Sequence, residues 1–299
     1  DPLPSRGLSP LLFPVGTISA DRSAILGREG WVFLIEGRNE VLRLMQQDPN
    51  SAEVTSQAAA WTDLFRRRQA ALAERGIVYR QLVIPEKLSV AAQHYPTPIR
   101  TPSALFSRVA AACIADPALA PCFVPLLATL AGAPQPGFRK IDSHLTPYGA
   151  WLVVSRLLVA LGEPEPELPQ FHLPFCHTGD LGERFFGPPL YDVLHTAYET
   201  LPPPHRRELV EAEPGRHIGT RALVANQGAA CGRRVLVVGN SFFTPDAGQD
   251  GCAWWLSRYV REFHFHWSPA FDYAEIDRIR PDVVVGQTIE RFLREVPES

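Results

Sequence analysis

The stretch VLVVGNSFF, residues 235–243, runs four aliphatic residues into a glycine, a polar pair and two phenylalanines. A strand that is apolar on both faces is typical of a parallel sheet covered by helices. Binding and catalytic groups in such sheets gather beyond the carboxyl ends of the strands. Ser241 lies at such a position, so it is either a small polar residue that ends a strand or a nucleophile held on a tight turn.

Two further aliphatic runs, at residues 80–84 and 283–285, accompany the run at 235–238. An alternating segment at 27–37 predicts an additional strand. Helical patterns separate these segments, and they lie at 51–75, 103–115, 147–162, 253–263 and after residue 285. The alternation predicts an α/β fold in which helices flank a parallel sheet. We expect a single domain over residues 1–299, with a proline-rich and mostly loop-forming elaboration around residues 163–215.

The chain has 299 residues, of which 29 are basic and 32 acidic, and a net charge of −3. This balance argues against nucleic acid or an anionic membrane as a general partner. No apolar run approaches the roughly 20 residues that a membrane-spanning helix needs. The first ten residues carry no secretion signal and are typical of a mature or trimmed terminus. We therefore expect any targeting segment to precede residue 1.

A serine nucleophile needs a base, and the base needs an orienting partner. Among the nine histidines, His144 stands out because Asp142 precedes it by two residues. This spacing lets a carboxylate fix the tautomer of the imidazole. The pair is also a possible pair of metal ligands, but no neighbouring cluster of His, Cys or Asp completes a metal site in the sequence. We therefore predict no metal and no cofactor.

Two common motifs are missing around the serine. Residues 239–243 read GNSFF, which does not match the GxSxG turn of α/β-hydrolases. The GxGxxG fingerprint of dinucleotide-binding proteins is not met either. What remains is a G-N-S-F motif after a buried strand, together with an Asp-x-His motif earlier in the chain.

This combination resembles the SGNH superfamily, and specifically its alginate O-acetyltransferase branch. Six blocks support the resemblance in matching order, and they are GREGWVFL, LVIPEKLSVAAQHYP, DSHLTPYGAW, TGDLGERF, VLVVGNSFF and RPDVVVGQTIERFL. They span roughly residues 27–293. Asp-x-His precedes the serine, as in that branch, whose fold is a circularly permuted version of the SGNH fold. Leu145 stands where the branch usually has an aromatic residue, and Asn240 where Asp or Thr is common.

The resemblance implies a triad of Ser241, His144 and Asp142. It also implies that an acetyl group passes through an acetyl-serine intermediate onto hydroxyls of an extracytoplasmic polysaccharide. The expected partners are the polysaccharide acceptor and a membrane-bound O-acyltransferase that relays the acetyl donor. The expected location is periplasmic or extracytoplasmic, with an N-terminal anchor outside this chain. Two alternatives stay open, which are an acetylesterase with the same triad and a non-catalytic polysaccharide-binding assembly protein.

The transition state of acyl transfer needs hydrogen-bond donors for the oxyanion. The backbone N–H of Ser241 is the natural first donor. Gln287 and Thr288 follow the last aliphatic strand and are candidates for the second donor. An equally simple interpretation is that both are polar residues that end a strand.

Four side chains are candidates for binding the polysaccharide. Arg291 and Lys87 would suit an anionic polymer, although Arg291 has Glu290 as an alternative partner. Trp254 and Trp255 would form a stacking platform for sugar rings or, alternatively, belong to the core.

The five cysteines form no CxxC motif, which argues against a zinc ribbon or a redox-active pair. They are either buried free thiols or the components of two disulfides in an oxidising compartment. We predict disulfides, with Cys113 paired to Cys122 across a short turn and Cys176 paired to Cys231 beside the proline-rich region. Cys252 would then be unpaired.

Overall fold

The computed structural model describes residues 13–185, 187, 190–212 and 216–299. The strands are β1 (Ala24–Leu26), β2 (Val32–Leu34), β3 (Val78–Ile84), β4 (Phe123–Val124), β5 (Phe171–Thr178), β6 (Tyr191–Ala197), β7 (Arg206–Val210), β8 (Arg221–Ala225), β9 (Cys231–Gly239), β10 (Val260–Trp267) and β11 (Val283–Ile289). The α-helices are α1 (Val41–Met45), α2 (Ala52–Ala73), α3 (Lys87–Val90), α4 (Ala104–Ala115), α5 (Leu127–Ala131), α6 (Pro147–Ala160), α7 (Cys252–Tyr259) and α8 (Tyr273–Ile279). Within this part of the chain, no helix combines the length and the apolar character that crossing a membrane requires.

The central sheet has the strand order β4-β3-β11-β9-β10-β8-β7 over the described residues. The strands from β4 to β10 are parallel to one another, whereas β8 and β7 pair antiparallel at one edge. The predicted α/β fold with a parallel sheet is therefore confirmed, and the antiparallel edge is an addition to it. Two small antiparallel sheets, β1-β2 and β5-β6, lie outside the central sheet.

The aliphatic run of β9 is buried on both faces of the sheet. Val235 and Val237 pack in one core cluster with residues of α6 and α7. Leu236 and Val238 pack in another with residues of α2 and α8. Helices thus cover both faces, which explains why this strand has no polar alternation. Its position at the centre of the sheet fixes the place where Ser241 follows.

Three predicted elements differ from the observed ones. Within the strand predicted at 27–37 only β2 is a strand, because the turn Arg28–Gly30, where Gly30 has a φ of 80°, separates it from β1. The helix predicted at 253–263 ends at Tyr259, because the aromatic and β-branched residues that follow form β10 beside β9. The helix predicted after residue 285 is a single 3-10 turn, Glu290–Phe292, since β11 continues to Ile289.

The proline-rich region contains more regular structure than predicted. Residues 163–170 and 198–205 have no regular secondary structure, but β5, β6 and β7 all lie within this region. Pro174 is accommodated in β5 because this strand belongs to a two-stranded ribbon, where a missing N–H donor costs little. Residues 186, 188–189 and 213–215 lie outside the described residues. The division of the chain into domains stays a prediction.

All five cysteines are free, so the predicted disulfides are wrong. Cys113 and Cys122 pack in different core clusters, and the thiol of Cys122 instead contacts Gln69 Oε1 at 3.0 Å. Cys176 is exposed on β5, whereas Cys231 is buried at the beginning of β9. The cysteines therefore give no support to an oxidising compartment.

Candidate active site

Ser241 begins a single 3-10 turn, Ser241–Phe243, directly after β9. The side chain of Asn240 caps this turn, since its Oδ1 accepts a hydrogen bond from the N–H of Phe242 at 3.3 Å. The N–H of Asn240 donates to Oε1 of Gln287 on β11 at 2.9 Å. A Cβ at Gly239 would lie 2.4 Å from that same oxygen, so the close contact requires glycine. Strand β11 thereby fixes the turn that presents the serine.

The Asp-x-His motif lies on a tight loop that leads into α6. Phe138 and Leu145 form an isolated antiparallel bridge, and the N–H of Arg139 donates to the carbonyl of His144 at 3.1 Å. Thr146 then caps α6, because its hydroxyl accepts the N–H of Gly149 at 3.0 Å. We call residues 138–145 the histidine loop.

The histidine loop lies at hydrogen-bonding distance from the turn Ser241–Phe243, which we call the serine turn. His144 Nε2 lies 2.9 Å from Ser241 Oγ. His144 Nδ1 lies 2.8 Å from Asp142 Oδ1, which also accepts the backbone N–H of His144 at 2.8 Å. The ring of Phe242 packs against the imidazole with a centroid separation of 5.2 Å. A carboxylate that holds a proton on Nδ1 leaves Nε2 free to accept the proton of the serine.

Asp142 is a buried carboxylate with a second set of partners. Its side chain is 6% exposed, and Oδ2 lies 3.1 Å from Arg139 Nη1, 3.2 Å from His177 Nε2 and 3.2 Å from the N–H of Asp180. Burial raises the pKa of Asp142, but hydrogen bonds with His144 and His177 and the charge of Arg139 outweigh it and hold the pKa well below its usual range. The carboxylate therefore stays ionised beside the imidazole.

The N–H of Ser241 has no hydrogen-bond acceptor among the described residues, whereas the following N–H groups of the turn are all engaged. Gln287, in contrast, uses its amide to hold the turn, since Oε1 accepts from Asn240 and Nε2 donates to the carbonyl of Thr288 at 3.1 Å. Gln287 therefore has a positioning role, and because its amide nitrogen carries a second N–H, its role as an oxyanion donor stays a prediction. Thr288 is half-buried beside Gln287, and its role as a donor stays a prediction.

Lys87 is buried inside the protein, where a polymer cannot reach it. It is 1% exposed, and its Nζ donates to the carbonyls of Arg139, Lys140 and Asp142 at 3.3, 3.1 and 2.8 Å. The expectation that Lys87 binds substrate is therefore wrong. Its ammonium group instead stabilises the histidine loop, because each of its three N–H donors can bind one of the three loop carbonyls.

This burial makes the stability of the protein depend on pH through Lys87. Burial lowers the pKa of Lys87 to about 8, although Asp180 and Asp142 oppose the shift. The pKa of a lysine in an unfolded chain is about 10.4. Between these values the unfolded chain binds more protons than the folded one, so the free energy of unfolding rises with pH in this window.

We expect the Lys87→Met variant, which keeps the apolar stem, to lack that rise. Wild type should gain stability relative to Lys87→Met between about pH 7.5 and about pH 9.5 in denaturant titrations. Every other titrating group is common to both proteins, so the difference isolates Lys87. A difference that stays constant across this range would contradict the account.

Arg291 has a carboxylate partner inside the protein. Its Nη1 donates to Oε2 of Glu86 at 2.8 Å, and its guanidinium lies 5.9 Å from the centroid of the Phe242 ring. Glu290 is fully buried and accepts the N–H of Glu86 at 2.8 Å. The structure thus pairs Arg291 with Glu86 rather than with Glu290, while Arg291 also lines the cavity described below, and its role in binding an anionic sugar stays a prediction.

The two tryptophans of α7 differ in their surroundings. Trp255 is 2% exposed and donates its indole N–H to the carbonyl of Gln249 at 2.6 Å, so it belongs to the core and offers no platform for sugars. Trp254 is half-buried, and the guanidinium of Arg258 covers its ring at 3.5 Å. Arg258 therefore occupies one face of the Trp254 ring, and a stacking role for Trp254 stays a prediction.

A cavity of about 640 Å³ lies at the carboxyl ends of β9, β10 and β11. These ends contribute Gly239, Asn240, Trp267, Ser268, Gln287 and Thr288 to its wall. Its position matches the usual location of sites in parallel sheets, and its volume is typical of small-molecule pockets. The cavity therefore borders the turn at Gly239 and Asn240, whereas Ser241 and His144 do not line it.

Sequence reasoning missed several residues around Asp142. Asp180 accepts the N–H and the hydroxyl of Ser143, both at 2.7 Å, and so braces the histidine loop. The TGDLGERF block signals this residue, but its role is visible only in three dimensions. Arg139, His177 and Asp250 have no comparable signal, since their contacts join segments that are distant in sequence.

Asp142, His144 and Asp180 also offer three possible metal-ligand atoms that lie within 4.8 Å of one another. Each of these groups already has hydrogen-bond partners within the protein. His144 Nδ1 faces Asp142 Oδ1, and both oxygens of Asp180 accept from Ser143. Binding a metal ion would break these contacts, so the arrangement favours a Ser-His-Asp triad.

Comparison with known sequences assigns the chain to a family. A family model described as "SGNH hydrolase-like domain, acetyltransferase AlgX" matches residues 24–242, which are most of the chain. Among curated proteins, the chain is 26% identical over 290 residues to the probable alginate O-acetylase AlgJ of Pseudomonas syringae pv. tomato. That alignment covers 90% of this chain and 68% of AlgJ.

Solved structures show the same fold at low sequence identity. PatB1 of Bacillus cereus has a TM-score of 0.60 and 13% identity, with coverage of 90% of this chain and 97% of PatB1. AlgX of Pseudomonas aeruginosa has a TM-score of 0.51 and 13% identity, with coverage of 91% of this chain and 63% of AlgX. The fold and the family match agree, and the chain belongs to the SGNH hydrolase-like acetyltransferase family typified by AlgX.

Proposed function

We propose that the protein is an O-acetyltransferase that moves an acetyl group through acetyl-Ser241 onto hydroxyls of an extracytoplasmic polysaccharide. The observation that carries the proposal is the position of His144 between Ser241 Oγ and Asp142 Oδ1, at 2.9 and 2.8 Å. Family membership supports acyl transfer as the reaction. The name of the curated relative, an alginate O-acetylase, supports a polysaccharide as the acceptor.

The first half-reaction forms the acetyl-enzyme. His144 Nε2 takes the proton of Ser241, and Oγ attacks the carbonyl carbon of the acetyl donor. The N–H of Ser241 donates to the oxyanion, and the ionised Asp142 stabilises the imidazolium. The imidazolium then gives its proton to the departing oxygen of the donor, which leaves the acetyl group on Ser241.

The second half-reaction reverses these roles with a sugar hydroxyl. His144 takes the proton of the hydroxyl, whose oxygen attacks the acetyl-enzyme. Collapse of the intermediate releases the acetylated sugar, and the proton returns to Ser241. The triad alone balances every proton transfer, so the scheme includes no cofactor.

The balance between transfer and hydrolysis depends on how the site treats water and the acceptor. Phe242 packs against the His144 ring at a tilt of 47°, and the cavity at the carboxyl ends of the strands reaches Asn240, the residue before Ser241. A site that limits water and holds a hydroxyl in place favours transfer. The proposal includes an extracytoplasmic location and an acetyl donor that a membrane-bound O-acyltransferase relays.

An acetylesterase with the same triad is the closest competing function. We expect that protein supplied with an activated acetyl ester and a mixture of neutral and anionic oligosaccharides yields acetylated sugars as the main product. Mass spectrometry of the products, with and without oligosaccharide, measures the partition. Free acetate as the sole product with every acceptor would replace this proposal by the esterase.

A vestigial triad in a binding protein is the second competing function. A serine-directed fluorophosphonate probe should label wild type and fail to label Ser241→Ala. Equal labelling of both proteins would show that the reactive serine lies elsewhere, and no labelling of either would favour the binding protein.

A further inference from the structure

The guanidinium of Arg139 is buried beside the triad and uses all three of its nitrogens. Its side chain is 8% exposed. Nε donates to the carbonyl of Leu145 at 2.8 Å, and Nη1 lies 3.1 Å from Asp142 Oδ2 and 2.8 Å from His177 Nε2. Nη2 forms an ion pair with Oδ2 of Asp250. One side chain therefore donates to three separate groups, the carbonyl of Leu145 and the carboxylates of Asp142 and Asp250, while His177 Nε2 donates its proton to Asp142.

These partners belong to the two segments that carry the triad. Asp142 and Leu145 lie in the histidine loop, on either side of His144. Asp250 lies in the segment that connects the serine turn with α7, and it is mostly buried. The contact between Arg139 and Asp250 therefore fastens the segment after the nucleophile to the loop that holds the base.

The same guanidinium helps to fix the orientation of the Asp142 carboxylate that faces the imidazole. Arg139 and His177 both contact Oδ2 of Asp142, which leaves Oδ1 for His144. A planar guanidinium can direct its donors to several acceptors at fixed angles, whereas an ammonium group acts as a point charge. Rotation of the carboxylate would break contacts on both oxygens at once.

We propose that Arg139, anchored by Asp250, is the positioning residue that assembles the triad by holding the histidine loop against the segment that follows Ser241. This inference rests on the proposed function and deepens it. Arg139 acts through Asp142 and the loop backbone and contacts neither reacting atom. A displacement of about 1 Å at a catalytic group can cost about 10²-fold in rate, so loss of this tie should be visible in turnover.

Arg139→Lys and Asp250→Asn test the inference. The first variant keeps the positive charge but loses the planar guanidinium, and the second removes the charge of its partner. With an activated acetyl ester we expect Arg139→Lys to lower kcat by about 10²-fold with little change in KM. Asp250→Asn should lower kcat less, and the double variant should be no worse than Arg139→Lys alone, since both remove the same tie. Arg66→Lys, an exposed arginine with two surface carboxylate partners, is the matched control and should retain wild-type kcat.

A spectroscopic readout separates positioning from general stability. The proton between His144 Nδ1 and Asp142 should give a strongly downfield proton resonance in wild type. We expect it to weaken or shift in both variants, including Asp250→Asn, whose fold can be checked by its thermal unfolding midpoint.

Variants that retain both wild-type kcat and the wild-type resonance would overturn the inference. If wild type does not turn over the ester, the resonance still tests the positioning role of Arg139, because it reports the Asp142–His144 contact independently of the reaction. Inactive wild type would then count against the proposed function alone.

Discussion

Replacing Ser241 with alanine is expected to lower turnover of an activated acetyl ester by roughly 10⁴- to 10⁶-fold, since nucleophile and base act as a unit. His144→Ala should have a similar effect, because the serine hydroxyl then has no base at 2.9 Å. Asp142→Asn should lower turnover slightly less, since it disturbs the tautomer of His144 without removing the base. Stopped assays with purified variants at saturating ester measure kcat directly.

The controls for this prediction concern folding and serine chemistry in general. Ser241 is half-buried on a surface turn, so its loss should leave the unfolding midpoint close to that of wild type. Ser107→Ala, an exposed serine on α4, should keep wild-type turnover. A folded Ser241→Ala protein with wild-type turnover would disprove the assignment of the nucleophile.

Gly179→Ala is expected to produce the second largest effect, although this residue carries no functional group. A Cβ at position 179 would stand 2.0 Å from the carbonyl oxygen of Ile141 and 2.8 Å from the Cβ of Asp142. Both neighbours belong to the histidine loop, so we expect relief of the clash to displace Asp142 from His144. We expect kcat to fall by at least about 10²-fold and stability to fall as well.

Gly232→Ala is the matched control, because its added Cβ would meet no heavy atom within 4 Å. This variant should keep both wild-type kcat and stability. The comparison uses steady-state ester turnover and chemical denaturation of the two alanine variants. Wild-type kcat in Gly179→Ala would mean that the histidine loop adapts without displacing its carboxylate.

The centre of the fold is readable from the sequence because its signals are local. The stretch of a strand that is buried on both faces has to be aliphatic, and residues 235–238 of β9 and 283–285 of β11 meet that requirement. The cap of α6 is equally local, since Thr146 and Pro147 suit the first turn of a helix. Ser241 is a candidate because it follows the buried run of β9, and His144 because Asp142 lies two residues before it, but the family resemblance is what joins the three residues into a triad.

The remaining features depend on contacts between distant segments. The residues of β10 follow α7 without a break, and only pairing with β9 makes them a strand. Lys87 has the sequence character of a surface cation, yet three carbonyls of the histidine loop hold it inside the protein. Arg139 and Asp250 are 111 residues apart, so no spacing rule connects them.

Trapping the acetyl-enzyme tests the central claim most directly. Wild-type protein is mixed with an activated acetyl ester, quenched in acid within the first turnovers and digested for mass spectrometry. The account predicts one acetyl group on the peptide that contains Ser241, absent from Ser241→Ala and lost when an oligosaccharide acceptor is added before the quench. An unmodified Ser241 peptide during active turnover, or an acetyl group on another residue, would contradict it.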